Sequence, residues 1–194
     1  MFLPIVAGLG NPGRDYDQTR HNLGWLVLDA LAAKKRLVWK HVPQFEAEIA
    51  RWDAGGDQPR WLVKPRTFMN ESGRAIAALV RYYKLEPADV VAVHDDLTID
   101  HGLVKVSANG SAGGHNGVAS LIEHLGVSFA RYRIGIGPKQ PAQMELSDYV
   151  LGKFTPEQQT LVTQKLDYFV QGLELLLSRG VDSAMNQLNR RDPK

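Results

Sequence analysis

The chain has 194 residues, contains no cysteine and carries a formal net charge of +2. The lack of cysteine excludes disulfides, thiolate metal sites and cysteine nucleophiles, and no apolar run approaches the ~20 residues of a membrane-spanning helix. The length suits a single domain covering residues 1–194. We therefore expect a cytoplasmic globular protein, and the pI of 8.8 permits a nucleic-acid partner without requiring one.

Hydrophobic periodicity predicts strands and helices that alternate along the chain. Strands are predicted at residues 3–9, 45–52, 61–64, 90–94, 103–108 and 132–137. Helices are predicted from Leu23 to a basic turn at 34–36, from an N-cap at Ser72 to 84, from 116 or 117 to 124, from a Thr155–Gln158 capping box to Gly180, and once more near the end.

This alternation predicts an α/β fold with a twisted, mixed and largely parallel β-sheet flanked by α-helices on both faces. The antiparallel part is a hairpin whose turn lies at residues 53–57. Residues 185–194 are expected to form a polar tail. We find no internal repeat and no linker long enough to divide the chain into two domains.

Four loops contain an asparagine; two of them, at residues 10–13 and 113–116, also contain glycine, and two carry a histidine. They cover residues 10–13, 19–22, 67–70 and 113–116. Loops of this kind present polar side chains rather than pack a core. Asparagine offers donors and an acceptor without charge, and an imidazole moves protons near neutral pH. This combination of side chains indicates a site that binds amides, esters or nucleosides, and therefore a hydrolase.

His21 and Asp95 are the candidates for acid–base chemistry. Asp95 ends the predicted strand at 90–94, and Asn11 follows the first strand. In open α/β sheets, ligands bind at the carboxyl ends of the strands. We therefore expect both residues to meet at one rim of the sheet, with His21 nearby.

A dinucleotide-binding enzyme is one alternative, because residues 8–13 match G-x-G-x-x-G after a strand. In that fold the helix begins inside the motif, and an acidic residue follows about twenty positions later at a strand end. Here a polar stretch from Arg14 to His21 comes before any helical pattern, and Asp29 falls inside a helix. Both features disfavour an NAD(P)-dependent oxidoreductase.

A metalloenzyme and a serine hydrolase are two further alternatives. The histidines and carboxylates that could bind a metal are His21, His94, His115, Asp95 and Asp96, but they include no HExxH motif or closely spaced histidine pair. No G-x-S-x-G sequence marks a serine nucleophile. We therefore expect neither a metal nor another cofactor.

These separate blocks, taken in order, resemble the bacterial-type peptidyl-tRNA hydrolase family. The blocks are residues 8–13, Tyr16, 19–22, 67–73, 94–97, 110–117, 131–137 and 150–152, and the resemblance extends from residue 3 to about 188. It implies cleavage of the ester between a peptide, or another N-blocked aminoacyl group, and the terminal ribose of tRNA. It also implies a monomeric, cytoplasmic, metal-independent enzyme without a cofactor, whose partner is the acceptor end of peptidyl-tRNA with its 3′-terminal adenosine and phosphates.

The resemblance also implies roles for individual residues. His21 corresponds to the general base and Asp95 to the residue that sustains its basic form. Asn11 corresponds to the residue that distinguishes N-blocked from free aminoacyl-tRNA. Such a reaction also needs donors to the developing oxyanion, for which the Asn116 amide or nearby backbone N–H groups are candidates. The positions that match contacts to the peptide or the tRNA end are Tyr16, Phe68, Met69, Asn70, Gly114, Asn116, Lys105 and Arg133.

The predicted phosphate-binding surface departs from the family pattern. Lys105 is present, but Ser107 and Asn109 stand where basic residues often occur in relatives. Either phosphate binding is weaker, or Arg131, Lys139 and Lys153 compensate. A non-catalytic RNA-binding member of the same fold is the main remaining alternative, although a pure binder has no need of an oriented base.

Overall fold

The computed structural model describes residues 2–53 and 58–190. The strands are β1 Ile5–Gly8, β2 Lys40–Val42, β3 Ala47–Trp52, β4 Arg60–Pro65, β5 Val90–Asp100, β6 Val104–Ser107 and β7 Ala130–Gly137. The helices are α1 Leu23–Lys34, α2 Ser72–Tyr82, α3 Asn116–Leu125, α4 Leu146–Leu151, α5 Pro156–Arg179 and α6 Val181–Leu188. Short 3₁₀ turns connect them, of which Arg20–Asn22 and Met69–Glu71 border the site described below.

The strands form one sheet in the order β2-β3-β4-β1-β5-β7-β6. The central pairs β4/β1, β1/β5 and β5/β7 are parallel. The outer pairs β2/β3, β3/β4 and β6/β7 are antiparallel. The prediction of a mixed sheet with a parallel centre is therefore confirmed.

Helices cover both faces of this sheet, as predicted. On one face, α1 and α5 pack on a core that includes Leu28 and Phe169. On the other face, α2 and α3 pack on a second core that includes Ile76 and Leu121. Close packing depends on glycine at one point, because a Cβ at Gly73 would lie 2.0 Å from a backbone oxygen of α3.

The capping box is confirmed, since the Thr155 hydroxyl and the Gln158 side chain bind each other's backbone N–H groups at the start of α5. Other boundaries differ from the prediction. Ser72 is the first residue of α2 rather than its N-cap, and β5 continues to Asp100. The strand β2 and the helix α4 were not predicted, because three and six residues are too few to show a period.

The predicted last helix is present as α6, but the start of the polar tail was predicted too early. Met185 and Leu188 lie in α6 and pack against the core, so the polar tail does not begin at residue 185. Residues 191–194 lie outside the described residues, as do residues 54–57 of the predicted hairpin turn. Among the described helices, none has the length and apolar character needed to cross a membrane.

Candidate active site

Chain segments from different parts of the sequence meet where β1 ends. Its last residue, Gly8, pairs with Val93, so Asp95 lies on β5 just beyond the reach of β1. The 3₁₀ turn that carries His21 leads directly into α1, and His115 is the N-cap of α3. Asp95 lies inside a strand rather than at its end, but the predicted meeting of His21 and Asp95 is correct.

Asp95 is held between two histidines. His21 Nδ1 lies 3.0 Å from Oδ1 and 3.1 Å from Oδ2 of the carboxylate. His115 Nε2 lies 3.1 Å from the same Oδ1. All three side chains are buried, and the two imidazole centroids are 4.5 Å apart. This arrangement is a His–Asp–His cluster, of which the sequence predicted only the first pair as a catalytic unit.

The partners of His115 determine where the protons of this cluster lie. Its Nδ1 accepts hydrogen bonds from the backbone N–H groups of Gly117 and Val118, at 3.1 and 3.3 Å. The His115 proton is therefore assigned to Nε2, which donates to Asp95. An ionised Asp95 has no proton to donate, so His21 Nδ1 is also a donor. The free lone pair of His21 then lies on Nε2.

The electrostatics agree with this assignment. Burial acts to raise the pKa of the Asp95 carboxyl, but His21 and His115, through their charge and hydrogen bonds, lower it far below its ordinary value. Burial acts to lower the pKa of His21, but the charge and hydrogen bond of Asp95 raise it above 6.5. Asp95 is therefore ionised at neutral pH and strengthens His21 as a base.

His94 is a third buried histidine, next to the His–Asp–His cluster. Its Nδ1 lies 2.7 Å from the Asp95 carbonyl oxygen, and its ring packs edge-on against His115 at 4.7 Å. Burial and the neighbouring His115 lower the pKa of His94 to about 3. A neutral His94 thus helps to fix the backbone of Asp95 without adding a positive charge.

His21, Asp95 and His115 also bring three donor atoms within 4.8 Å of one another, as a metal site would. The proton positions assigned above argue against metal binding. His115 would have to move its proton to Nδ1, where it would face the two N–H groups of α3 that Nδ1 now accepts. The donor set therefore suits proton transfer better than cation binding.

Two adjoining cavities meet at His21. The first, of about 290 Å³, is lined by Asn11, Tyr16, His21, Phe68, Met69, Asn70, Asn116, Ser147, Val150 and Leu151. The second, of about 280 Å³, is lined by His21, Asp95, Asp96, Leu97, Thr98, Gly113, Gly114, His115, Asn116, Leu146, Ser147 and Val150. Nine of the eleven predicted site residues thus line one cavity or both. Helix α4 borders both cavities.

The two other predicted residues lie together outside the cavities. Lys105 on β6 is directly opposite Arg133 on β7. The Arg133 Nε donates to Asp96 Oδ2 at 2.8 Å, and Asp96 lines the second cavity. This pair forms a small cationic surface next to the site.

Arg131 cannot extend that surface. The side chain is only 2 % exposed, and its guanidinium donates to the carbonyl oxygens of Phe129 and Gly110. Our suggestion that Arg131 compensates for the missing basic residues is therefore wrong. Both terminal nitrogens of the guanidinium are already bound to backbone oxygens, and its Nε is buried away from any ligand.

Asn11 is positioned by a residue that was not predicted. The Asn22 side chain accepts from the Asn11 backbone N–H at 2.8 Å and donates to the Asn11 carbonyl oxygen at 3.0 Å. The Asn11 side-chain oxygen accepts from the Met69 N–H at 2.7 Å, which leaves its NH₂ group for a ligand. In the sequence, the only signal of this role is that Asn22 directly follows His21.

The glycine motif serves packing. A Cβ at Gly8 would meet the backbone of Gly24 and the side chain of Leu28, and a Cβ at Gly10 would meet the Trp25 ring. Helix α1 begins only at Leu23, well after the motif. The prediction that the helix begins only after a polar stretch beyond the glycine motif is therefore confirmed.

Comparison with known proteins gives one consistent result. The family model described as peptidyl-tRNA hydrolase matches residues 5–194. A peptidyl-tRNA hydrolase of Gloeobacter violaceus is 43% identical over 192 residues, covering 98% of this chain and 96% of that protein. One of Synechocystis is 42% identical, covering 99% and 98%. The crystal structure of the Acinetobacter baumannii peptidyl-tRNA hydrolase has a TM-score of 0.89 and 34% identity, covering 99% and 97%.

Proposed function

Because the chain belongs to the peptidyl-tRNA hydrolase family, we propose that His21 is the general base of an ester hydrolysis carried out in these two cavities. The chain is an enzyme that hydrolyses peptidyl-tRNA. The observation that carries the assignment of the base is the contact between His21 Nδ1 and the buried Asp95 carboxylate.

The first step is attack by water on the ester carbonyl. A water between His21 Nε2 and the carbonyl carbon gives its proton to the imidazole as the new C–O bond forms. Asp95 stabilises the resulting imidazolium, as its effect on the pKa of His21 indicates. A base positioned in this way contributes about 10²–10⁴-fold to the rate. Collapse of the tetrahedral intermediate breaks the bond to the ribose oxygen, which takes up the proton from His21.

The negative charge on the carbonyl oxygen needs hydrogen-bond donors. Asn116 is exposed at the first position of α3 and lines both cavities. Its side-chain amide is our candidate donor. The preceding Gly113 and Gly114 have φ values of +58° and +81°, which favour glycine, and their backbone also borders the second cavity. One such donor is worth about 10²–10³ in rate.

Selectivity for N-blocked substrates is assigned to Asn11 and Asn70. The Asn11 side-chain oxygen is already bound to Met69, so its NH₂ group can donate to the carbonyl of the first peptide bond. Asn70 is exposed in the same cavity and can bind the N–H of that bond. A free aminoacyl ester lacks this amide, so the polar groups of the site would stay unpaired.

The tRNA end is assigned to the remaining predicted residues. Tyr16 and Phe68 meet edge-on with centroids 6.3 Å apart, and Phe68 is 56% exposed. They offer aromatic surfaces for the 3′-terminal adenosine. Lys105 and Arg133 are assigned to acceptor-stem phosphates. The monomeric state and the cytoplasmic location stay predictions, and the first can be measured by light scattering after size-exclusion chromatography.

The test compares His21→Ala with the unchanged protein on N-acetyl-aminoacyl-tRNA and on free aminoacyl-tRNA, with and without a chelator. We expect the unchanged protein to cleave only the blocked ester and to be insensitive to the chelator. His21→Ala should keep its melting temperature and lose most of the turnover. Near-normal hydrolysis by this variant would refute the assignment of the base. A protein that binds the substrate without turnover would instead be a non-catalytic RNA-binding member of the fold.

A further inference from the structure

Arg20, the residue before His21, is a buried cation whose charge is met without a carboxylate. It is 6% exposed. Its Nη1 donates to the Tyr149 carbonyl oxygen at 2.9 Å, and its Nε and Nη2 donate to Gln158 Oε1 at 3.2 and 2.7 Å. Within the described part of the chain, every oxygen that these hydrogen bonds reach belongs to an uncharged group. A buried charge held in this way is costly, so a local reason for it is worth seeking.

The contacts of Arg20 join three elements of the fold, two of which are also linked by the Gln158 side-chain NH₂ group donating to the Tyr149 hydroxyl at 3.4 Å. Arg20 belongs to the 3₁₀ turn of His21, Tyr149 lies in α4, and Gln158 lies in the first turn of α5. The guanidinium also lies 4.2 Å from the centroid of the Tyr149 ring. The Arg20 backbone N–H donates to the Gly152 carbonyl oxygen at 3.1 Å, just after α4 ends. Arg20 therefore fixes the C-terminal end of α4 to the turn of the general base.

Helix α4 divides its residues between this anchor and the site. Tyr149 is buried on the anchored side, where its hydroxyl donates to the Ile136 carbonyl oxygen at 2.7 Å. Ser147 and Val150 line both cavities. A small movement of the anchored end would therefore change the width of both cavities, whereas the contact of His21 with Asp95 does not involve α4.

We propose that Arg20 is a positioning residue for substrate binding, which sets the distance between α4 and the turn of His21 and thereby the width of both cavities. It does not touch the reacting atoms. Its guanidinium suits this task because it can donate to two different elements while stacking on an aromatic ring. This inference rests on the proposed function only in taking the two cavities as the place where the substrate binds.

The test uses Arg20→Met, Arg20→Lys and a matched control, Lys64→Met. Lys64 is a comparably buried cation, 7% exposed, but it is bound to Asp29 and Glu48 away from the cavities. For Arg20→Met on N-acetyl-aminoacyl-tRNA we expect KM to rise about tenfold or more, since hydrogen bonds to charged groups carry such effects. We expect kcat to change less than about threefold and the pH profile of kcat to stay in place.

Two further readouts separate positioning from general destabilisation. Amide hydrogen exchange at residues 146–152 should become at least about tenfold faster in Arg20→Met and stay unchanged in Lys64→Met. Arg20→Lys keeps the charge but loses the planar fork, so its KM should lie between that of the unchanged protein and that of Arg20→Met. It also replaces Arg20→Met in the test if Arg20→Met does not fold. An unchanged KM in both Arg20 variants, or equal exchange in Arg20→Met and Lys64→Met, would overturn the inference. Hydrolysis by His21→Ala in the same assay would instead refute the assignment of the base.

Discussion

Replacement of Asp95 by asparagine separates the charge of this residue from its shape. Asparagine is nearly isosteric, so the buried position between His21 and His115 can still be filled. If the amide oxygen occupies the place of Oδ1, it still accepts from both imidazoles, which now lie 3.0 and 3.1 Å away. The NH₂ group then faces His21 Nδ1 from the place of Oδ2, 3.1 Å away, so donor opposes donor. In the opposite orientation the NH₂ group takes the place of Oδ1 and faces the N–H groups of both histidines, which is less favourable.

Two losses follow from this substitution. The imidazolium of His21 loses the negative charge that stabilises it, and the proton on Nδ1 loses part of its preference for that nitrogen. The corresponding change in a Ser-His-Asp protease lowers kcat by about 10⁴, and the whole contribution of a general base is about 10²–10⁴. We expect the single-turnover rate of Asp95→Asn to fall by about 10²–10⁴.

The pH profile gives the more specific result. Hydrolysis needs His21 without a proton on Nε2, so the rate falls as the pH drops through the pKa of His21. In the unchanged protein Asp95 raises that pKa above 6.5, whereas in the variant the negative charge is gone while the burial that lowers the pKa remains. The acid limb of the profile should therefore move to lower pH while the plateau falls.

The assay is single-turnover cleavage of N-acetyl-aminoacyl-tRNA between about pH 5 and pH 9. Asp29→Asn is the control, because Asp29 is paired with Lys64 away from the cavities. A variant whose rate stays within about threefold, with an acid limb that does not move, would show that Asp95 does not sustain a basic His21.

Two other predictions concern stability and tRNA binding. Because the pKa of His94 is about 3 in the folded protein and 6.5 ordinarily, the unfolded chain binds more protons between these values. The free energy of unfolding should thus fall by roughly 2–3 kcal/mol from pH 7 to about 4.5, and a urea titration series should show a smaller fall in His94→Gln. For tRNA, Lys105→Ala should reduce the slope of log K against log salt by about 1 and Ser107→Lys should increase it by a similar amount. Equal slopes in all three proteins would mean that this surface does not bind phosphate.

Much of the fold could be predicted because its signals are local. The capping box Thr155–Gln158 marks the start of α5 and the glycine at 180 marks its end, and each signal lies directly at the boundary that it predicts. The asparagine-containing loops could be recognised in the same way. The resemblance to a family then connected these loops, which local patterns could not do.

The short or irregular parts could not be predicted. Helix α4 has only six residues, and its position depends on Arg20, more than 120 residues earlier in the chain. The burial of Arg131 could not be predicted either, because the sequence of a strand does not show whether an arginine faces solvent or the carbonyl oxygen of Gly110.

The sequence by itself therefore determined the order of the longer strands and helices and the loops that carry polar side chains, and through the family resemblance it led to the proposed acid–base pair. Only the tertiary structure decided that His115 shares the Asp95 carboxylate and that its own proton lies on Nε2. The physical reason is that a proton is placed by the partners of both ring nitrogens. Here those partners are a strand far away in sequence and the first backbone N–H groups of a helix, and only folding brings them to one ring.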